Sequence, residues 1–254
     1  LGQGLANAVG MALAERHLAA RYGADIVDHY TYAIAGDGCL MEGISQEAIS
    51  MAGHLNLNRL IVLWDDNGIS IDGSVDIAAS DDQLARFMAS GWDVSSCEGH
   101  NGEEVAEAIE AARKSDKPSL IACRTVIGFG APNKQGTSGV HGAPLGDDEI
   151  AAARKALGWS HAPFEIPDDV LKAWRDAGSR GRSVSAEWNS RLAGLDATKL
   201  AEFNLALSGE LPGNWQDTIN SYKKSLSAEA PGWATRKSSQ EALKVINPIL
   251  TSTM

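Results

Sequence analysis

Between residues 31 and 126, short apolar runs alternate four times with amphipathic segments, and the connections are brief. Residues 31–35, 60–64, 92–97 and 119–126 read as strands, and 45–55, 80–90 and 102–114 as helices. The run Leu60, Ile61, Val62, Leu63, Trp64 is apolar without interruption, as a strand covered on both faces requires. Segment 102–114 places its acids early and its bases late, which suits the helix macrodipole. Such repetition packs as an α/β fold, a mostly parallel sheet with helices on both faces. A helix over 4–20 precedes it, with Ala6, Gly10 and Ala14 as a small-residue face and Glu15 and Arg16 turned outward. Ser80 is the expected N-cap of the 80–90 helix. From about residue 168 the texture changes to polar helices carrying Trp174, Trp188 and Trp215, with breaks expected at 177–178 and 211–213. The expected organisation is an α/β domain over 1–165 and a helical appendage or linker over 166–254.

Composition narrows the function. Lys and Arg number 22 against 33 Asp and Glu, a net charge of −11. A nucleic-acid or anionic-membrane binder would need a basic face. An acidic chain that binds a polyanion must instead use a local device: a divalent cation, a helix N-terminus or a nest of backbone amides. Cys39, Cys97 and Cys123 are widely spaced without a CxxC pair, which excludes a disulfide scaffold and a thiolate zinc site and fits a reducing, cytoplasmic setting. No apolar run approaches the roughly 20 residues that span a bilayer. The chain opens on Leu1-Gly2-Gln3-Gly4, without an initiator Met or a signal-peptide layout, and reads as a piece of something longer.

In parallel α/β sheets ligands sit at the carboxyl ends of the strands. Gly36-Asp37-Gly38 and Asp65-Asp66-Asn67 both fall at such ends. An isolated GDG is ordinarily a tight turn after a strand. Here it has a partner: 28 residues separate Gly38 from Asn67, room for one helix and one strand. The glycines would let backbone approach a phosphate. Asp37, the Asn67 amide oxygen and a main-chain carbonyl are hard oxygen ligands suited to Mg²⁺ or Ca²⁺, and a diphosphate could complete an octahedral set. A dinucleotide fingerprint fails, because Gly2 and Gly4 are followed by Asn7 where a third glycine is required. Loop 128–146 holds six glycines and two prolines in nineteen positions, a composition that marks a functional or mobile segment. His141 lies in it, flanked by glycine and without the apolar neighbours of a core histidine. The other histidines (His17, His29, His54, His100 and His161) lack such a setting and read as structural.

The GDG–Asn spacing is also that of the thiamine diphosphate fingerprint, and here a resemblance becomes specific. The run GDGCLMEGISQEAISMAGHLNLNRLIVLWDDNGISIDG over 36–73 resembles transketolases, as do LGQGLANAVGMA at 1–12, GVHGAP at 139–144 and ATRKSS at 234–239. The four matches come in the family's order and extend over essentially the whole chain.

The resemblance implies a thiamine diphosphate-binding fold and transfer of a two-carbon glycolaldehyde unit from a ketose phosphate to an aldose phosphate. It implies thiamine diphosphate bound at Leu1, Gly36, Asp37, Gly38, Asn67 and His141, with Mg²⁺ or Ca²⁺ held by Asp37, Asn67 and the Ile69 carbonyl. His141 would also meet the substrate. Arg236, in a family motif, would grip the sugar phosphate with its planar fork. Glu42, otherwise a helix-dipole partner, would lie at a homodimer interface and face the catalytic glutamate of the other subunit, with Glu47 in the same acidic network. That activating glutamate, the pyrimidine-binding domain and the substrate-channel histidines are expected outside these 254 residues, so the fragment alone is expected to be inactive. Two other readings stand beside this one. A different thiamine diphosphate enzyme, dihydroxyacetone synthase or a deoxyxylulose-phosphate synthase, is the first, although His141 and Arg236 favour transketolase over the latter. The second is a non-catalytic half, a split subunit or fragment that works only with a partner chain.

Overall fold

The computed structural model describes residues 1–250. The chain divides into two compact units, one over Leu1–Gly181 and one beginning at Arg182. The first is built on four parallel strands, β1 (Thr31–Gly36), β2 (Leu60–Asp66), β3 (Asp93–Glu98) and β4 (Ser119–Arg124), in the spatial order β1-β2-β4-β3. The chain therefore leaves β2 for the far edge at β3 and returns to insert β4 between them.

Strand residues of opposite parity feed two separate cores. Leu60, Val62, Trp64, Leu120 and Ala122 face one side, where α1 (Gln3–Tyr22) and α3 (Gly43–His54) supply Leu5, Val9, Ala12, Ala48, Ile49 and Ala52, and α4 (Gln83–Ala89) supplies Phe87. Ile61, Ile121 and Cys123 face the other side, against Ala108, Ile109 and Ala112 of α5 (Gly102–Ala112). The sheet thus carries helices on both faces, as the alternation predicts. The α5 face is covered unevenly, because Tyr32 and Ile34 on the edge strand β1 remain exposed, Ile34 at 82%.

Local chemistry adjusts several expectations. The 80–90 helix starts at Gln83 with Asp82 as its N-cap, accepting from the Ala85 amide, in place of Ser80. Asp82 sits where its carboxylate reaches an orphan amide of the first turn. Arg16 is exposed, but its guanidinium caps carbonyls of Leu55 and Asn56 and reaches Asn58 Oδ1, tying α1 to the turn after α3. Glu15, expected outward, is buried, and burial raises its pKa while the charges of His29 and Arg59 oppose the rise. α6 (Asp147–Ala156) and α7 (Asp168–Ser179) complete the first unit. α7 runs through 177–178, and the helix break falls at Arg180.

The second unit consists of α8 (Gly181–Ala193, its first residue still in the first unit), α9 (Ala197–Ser208), α10 (Trp215–Glu229) and α11 (Thr235–Ile246). Trp188 meets Phe203 across α8 and α9 with ring centroids 6.3 Å apart. Leu211, Trp215, Ile219 and Ile246 line an apolar cavity in the same unit. The expected break at 211–213 separates α9 from α10. Among the described residues no helix is long and apolar enough to cross a membrane.

α3 meets the α4–β3 turn in close contact. Trp92 Nε1 donates to the Ile49 carbonyl at 2.9 Å, and the Trp92 ring stands edge-on to Phe87 at 4.9 Å. A Cβ at Gly53 would fall 1.7 Å from the Ser90 carbonyl oxygen, a backbone atom that cannot turn aside. Gly53→Ala should therefore lower stability by about 1–3 kcal/mol or more, seen as a lower urea midpoint for the first unit. An unchanged midpoint would mean that this contact relaxes without cost.

Candidate functional site at the carboxyl ends of the strands

β1 ends at Gly36 and runs without a turn into the short helix α2 (Asp37–Met41). The backbone at Gly36 is extended, and a side chain there would meet no atom within 4 Å, so open space lies over the strand end. The GDG is a strand-to-helix junction and not a tight turn. It places Asp37 in the first turn of α2, buried to 7% exposure. Leu1, itself exposed, lies close to Gly38, 3.7 Å from the position a Cβ would take there.

Asp37 joins two strand ends. Its Oδ1 accepts from Trp64 Nε1 at 3.1 Å, and its Oδ2 accepts from the Gly68 amide at 3.1 Å. Burial raises its pKa, the Trp64 bond opposes this, and the neighbouring Asp66 charge raises it further. The groups acting on this carboxylate are therefore neutral N–H donors and another acid, and among the described residues no ion pair joins it to a cationic side chain. Asp66 is also raised, again by burial first, with Arg124 opposing and Asp65 adding to the rise.

β2 ends in a compact polar loop. Asn67 Oδ1 accepts from the Ile69 amide at 3.0 Å, an Asx turn, while Asn67 Nδ2 donates to Asp65 Oδ2 at 3.2 Å. Ile69 is bridged antiparallel to Ser74, which fixes the loop's return. Asp37 and the Asn67–Gly68 backbone are thus brought into direct contact, and Ile69 follows on the same turn. The donors on offer are a carboxylate, an amide oxygen and a main-chain carbonyl, a set suited to a hard divalent cation. Among the described residues no three His, Cys, Asp or Glu side chains gather as a metal cluster, so an ion here would depend on this mixed set.

The other expected residues are distributed more widely. Glu42 sits half-buried at the α2–α3 junction, and Glu47 is exposed on α3. His141 is exposed at the end of a 3₁₀ turn, Ser138–Val140, where its amide donates to the Ser138 carbonyl. No hydrogen bond among the described residues joins its ring to Asp37 or Asn67. Arg236 is exposed in the first turn of α11, in the second unit.

Three features of this edge were not singled out in the sequence. Thr125, just past β4, donates its hydroxyl to Asp65 Oδ1. His100 accepts from the Val126 amide through Nε2 at 2.9 Å and stacks on Phe129 with centroids 4.0 Å apart, so it holds the start of the long loop. Glu149 on α6 accepts from both the backbone and the side-chain amide of Asn133, each at 2.8 Å. Lys134 Nζ adds a bond to the Leu145 carbonyl. None of the three carries a local sequence signal, because each contact joins segments distant along the chain. The glycines of loop 128–146 also have a conformational role. Gly130 has φ +87°, and a Cβ there would lie 2.7 Å from Leu157.

Comparison with known proteins puts this arrangement in a family context. The family model described as "Transketolase, thiamine diphosphate binding domain" matches residues 1–212. The transketolase of Cereibacter sphaeroides is 61% identical over 251 residues, covering 98% of this chain and 38% of that protein. The transketolase of Rhodobacter capsulatus is 51% identical over 254 residues, covering 100% of this chain and 38% of that protein. The solved transketolase from Leishmania mexicana superposes with a TM-score of 0.87 at 39% identity, over 99% of this chain and 38% of its own. The chain thus spans 38% of the length of these relatives.

The Glu149–Asn133 clamp yields a pH-dependent expectation. The Asn133 side-chain amide, and then its backbone N–H, hold the Glu149 carboxyl below its ordinary value of 4.5. A depressed carboxyl stabilises above its unfolded value and loses that contribution as pH falls through the folded one. Wild-type protein should therefore release residues 131–136 only at a pH below 4.5, measured by amide hydrogen exchange. Glu149→Ala should release them already at neutral pH, with faster tryptic cleavage after Lys134. Equal cleavage of variant and wild type would remove Glu149 as the anchor.

Proposed function

The chain belongs to the transketolase family as its thiamine diphosphate-binding domain, and from that premise we propose that it forms the diphosphate and metal half of a transketolase active site. The reaction is transfer of a two-carbon glycolaldehyde unit from a ketose phosphate to an aldose phosphate. The observation that carries the reading is Asp37: a buried carboxylate at a strand end, hydrogen-bonded to the Trp64 indole and the Gly68 amide, and joined by no ion pair to a cationic side chain among the described residues. A divalent cation would supply that charge, and the residues around it fit one.

In this reading Asp37, the Asn67 amide oxygen and the Ile69 carbonyl hold Mg²⁺ or Ca²⁺. The open space over Gly36, with Leu1 beside Gly38, admits the diphosphate. When bound, thiamine diphosphate supplies the electron sink for breaking and remaking a carbon–carbon bond. His141 approaches the diphosphate and the substrate from loop 128–146. Glu42 and Glu47 face a second copy of the enzyme in a homodimer. The metal and cofactor role belongs to residues 1–165, and the helical segment 166–254 contributes Arg236, whose fork grips the phosphate of the sugar. A cytoplasmic setting fits the three cysteines, none of them in a disulfide.

The direct test is Asp37→Ala in the full-length enzyme that carries this chain. Calorimetry should show loss of metal-dependent thiamine diphosphate binding, and unchanged affinity would sink the assignment. Arg236→Ala should raise KM for sugar phosphates, at a cost of roughly 1.5–3 kcal/mol for a charge-assisted contact, and leave unphosphorylated sugars little affected. Equal loss with both substrate classes would give Arg236 a structural role instead.

A further inference from the structure

Asn67 can serve a cation only if its carboxamide presents oxygen and not nitrogen toward the ion, and a bare side chain has little preference between the two. The loop removes that freedom. Asn67 Nδ2 donates to Asp65 Oδ2 at 3.2 Å, and Asn67 Oδ1 accepts from the Ile69 amide at 3.0 Å. A flipped amide would set its NH₂ against the Ile69 N–H and its oxygen against the Asp65 carboxylate, two contacts of like polarity. Asp65 is itself held, because its second oxygen accepts the Thr125 hydroxyl from the neighbouring strand end. Both Asp65 oxygens are therefore engaged, one by the loop and one by the neighbouring strand end. The amide oxygen of Asn67 has two lone pairs, and Ile69 uses one of them.

We propose that Asp65 is a positioning residue which, braced by Thr125, locks the Asn67 carboxamide in the orientation that leaves one oxygen lone pair free for a divalent cation. The inference rests on the reading of Asn67 as a metal ligand and assigns a role to a residue that would not itself touch the ion. Partners behind a ligand commonly set metal affinity by 10- to 100-fold. Asp65→Asn preserves the lock, because its amide oxygen still accepts from Asn67 Nδ2 and the Thr125 hydroxyl can turn to accept from the new NH₂. Asp65→Leu removes it at similar volume. Thr125→Val removes the brace alone.

The experiment measures Mn²⁺ binding to the full-length enzyme with thiamine diphosphate present, from the electron paramagnetic resonance signal of free Mn²⁺. Thermal midpoints of the metal-free proteins are recorded in parallel. Asp65→Leu should weaken Mn²⁺ binding by about 10- to 100-fold, Asp65→Asn should bind close to wild type, and Thr125→Val should fall between. Asp65→Leu binding as tightly as wild type overturns the proposal, and so does Asp65→Asn falling as far as Asp65→Leu, which would make charge and not orientation the cause. A drop in the metal-free midpoint shared by both variants, with their Mn²⁺ affinities alike, overturns it in favour of a structural role. If Asp65→Leu does not fold, Thr125→Val decides, and undiminished affinity there overturns the proposal. Asp37→Ala separates the two layers of argument. Wild-type binding that Asp37→Ala does not weaken removes the metal site itself and the inference with it, whereas loss in Asp37→Ala beside unchanged Asp65→Leu removes the inference alone.

Discussion

Between the carboxyl ends of β1 and β2 one side chain, Asp37, accepts a hydrogen bond from the Trp64 indole and another from the Gly68 amide. The polar edge of the sheet is organised around these two bonds. The indole comes from the side of β2 that faces the larger core, so the packing of α1 and α3 against the sheet also sets the position of the carboxylate. The amide comes from the loop after β2, so the turn carrying Asn67 and Ile69 is tied to the same group. A buried carboxylate is costly unless its charge is met. Here the partners are neutral donors, and burial together with Asp66 raises its pKa. Among the described residues the Asp37 carboxylate is thus met by neutral donors at the place where α/β sheets take ligands.

The surrounding loops are held by contacts of the same kind, each reaching across the chain. Thr125 and Asp65 connect the ends of β4 and β2, and His100 fixes Val126 and Phe129 at the start of the long loop. Glu149 fixes Asn133 farther along that loop. His141 lies between the two clamped residues Asn133 and Glu149, exposed after a short 3₁₀ turn. The glycine content of the loop, which in sequence reads as mobility, partly reflects backbone geometry, since Gly130 is left-handed and packed against Leu157.

The strand order shows why α/β sequence patterns are informative about class and less so about arrangement. Periodicity in 31–126 locates four strands and the helices between them, because burial on one or two faces leaves a repeat in the chain itself. It says nothing of which strand lies beside which. The crossover that inserts β4 between β2 and β3 and leaves β1 at an edge with Ile34 exposed is decided by how helices and strands pack.

The sequence alone determined the α/β class, the two polar strand ends and the family resemblance, because apolar periodicity and the ordered GDG, Asn67, His141 and Arg236 motifs are properties of neighbouring residues. It also marked Asp37 and Asn67 as hard oxygen donors from residue type and spacing. Tertiary structure decided which groups those donors meet. Glu15 is buried although its helical position reads as outward, since it lies near Arg59 and His29, residues of later segments. Asp82 displaces Ser80 as a cap through the reach of one carboxylate to the Ala85 amide. The Asp65–Thr125 bond and the Glu149–Asn133 clamp join residues 60 and 16 positions apart. Contacts at such separations leave no periodic trace, and they exist only once the chain has closed its sheet and brought the strand ends together.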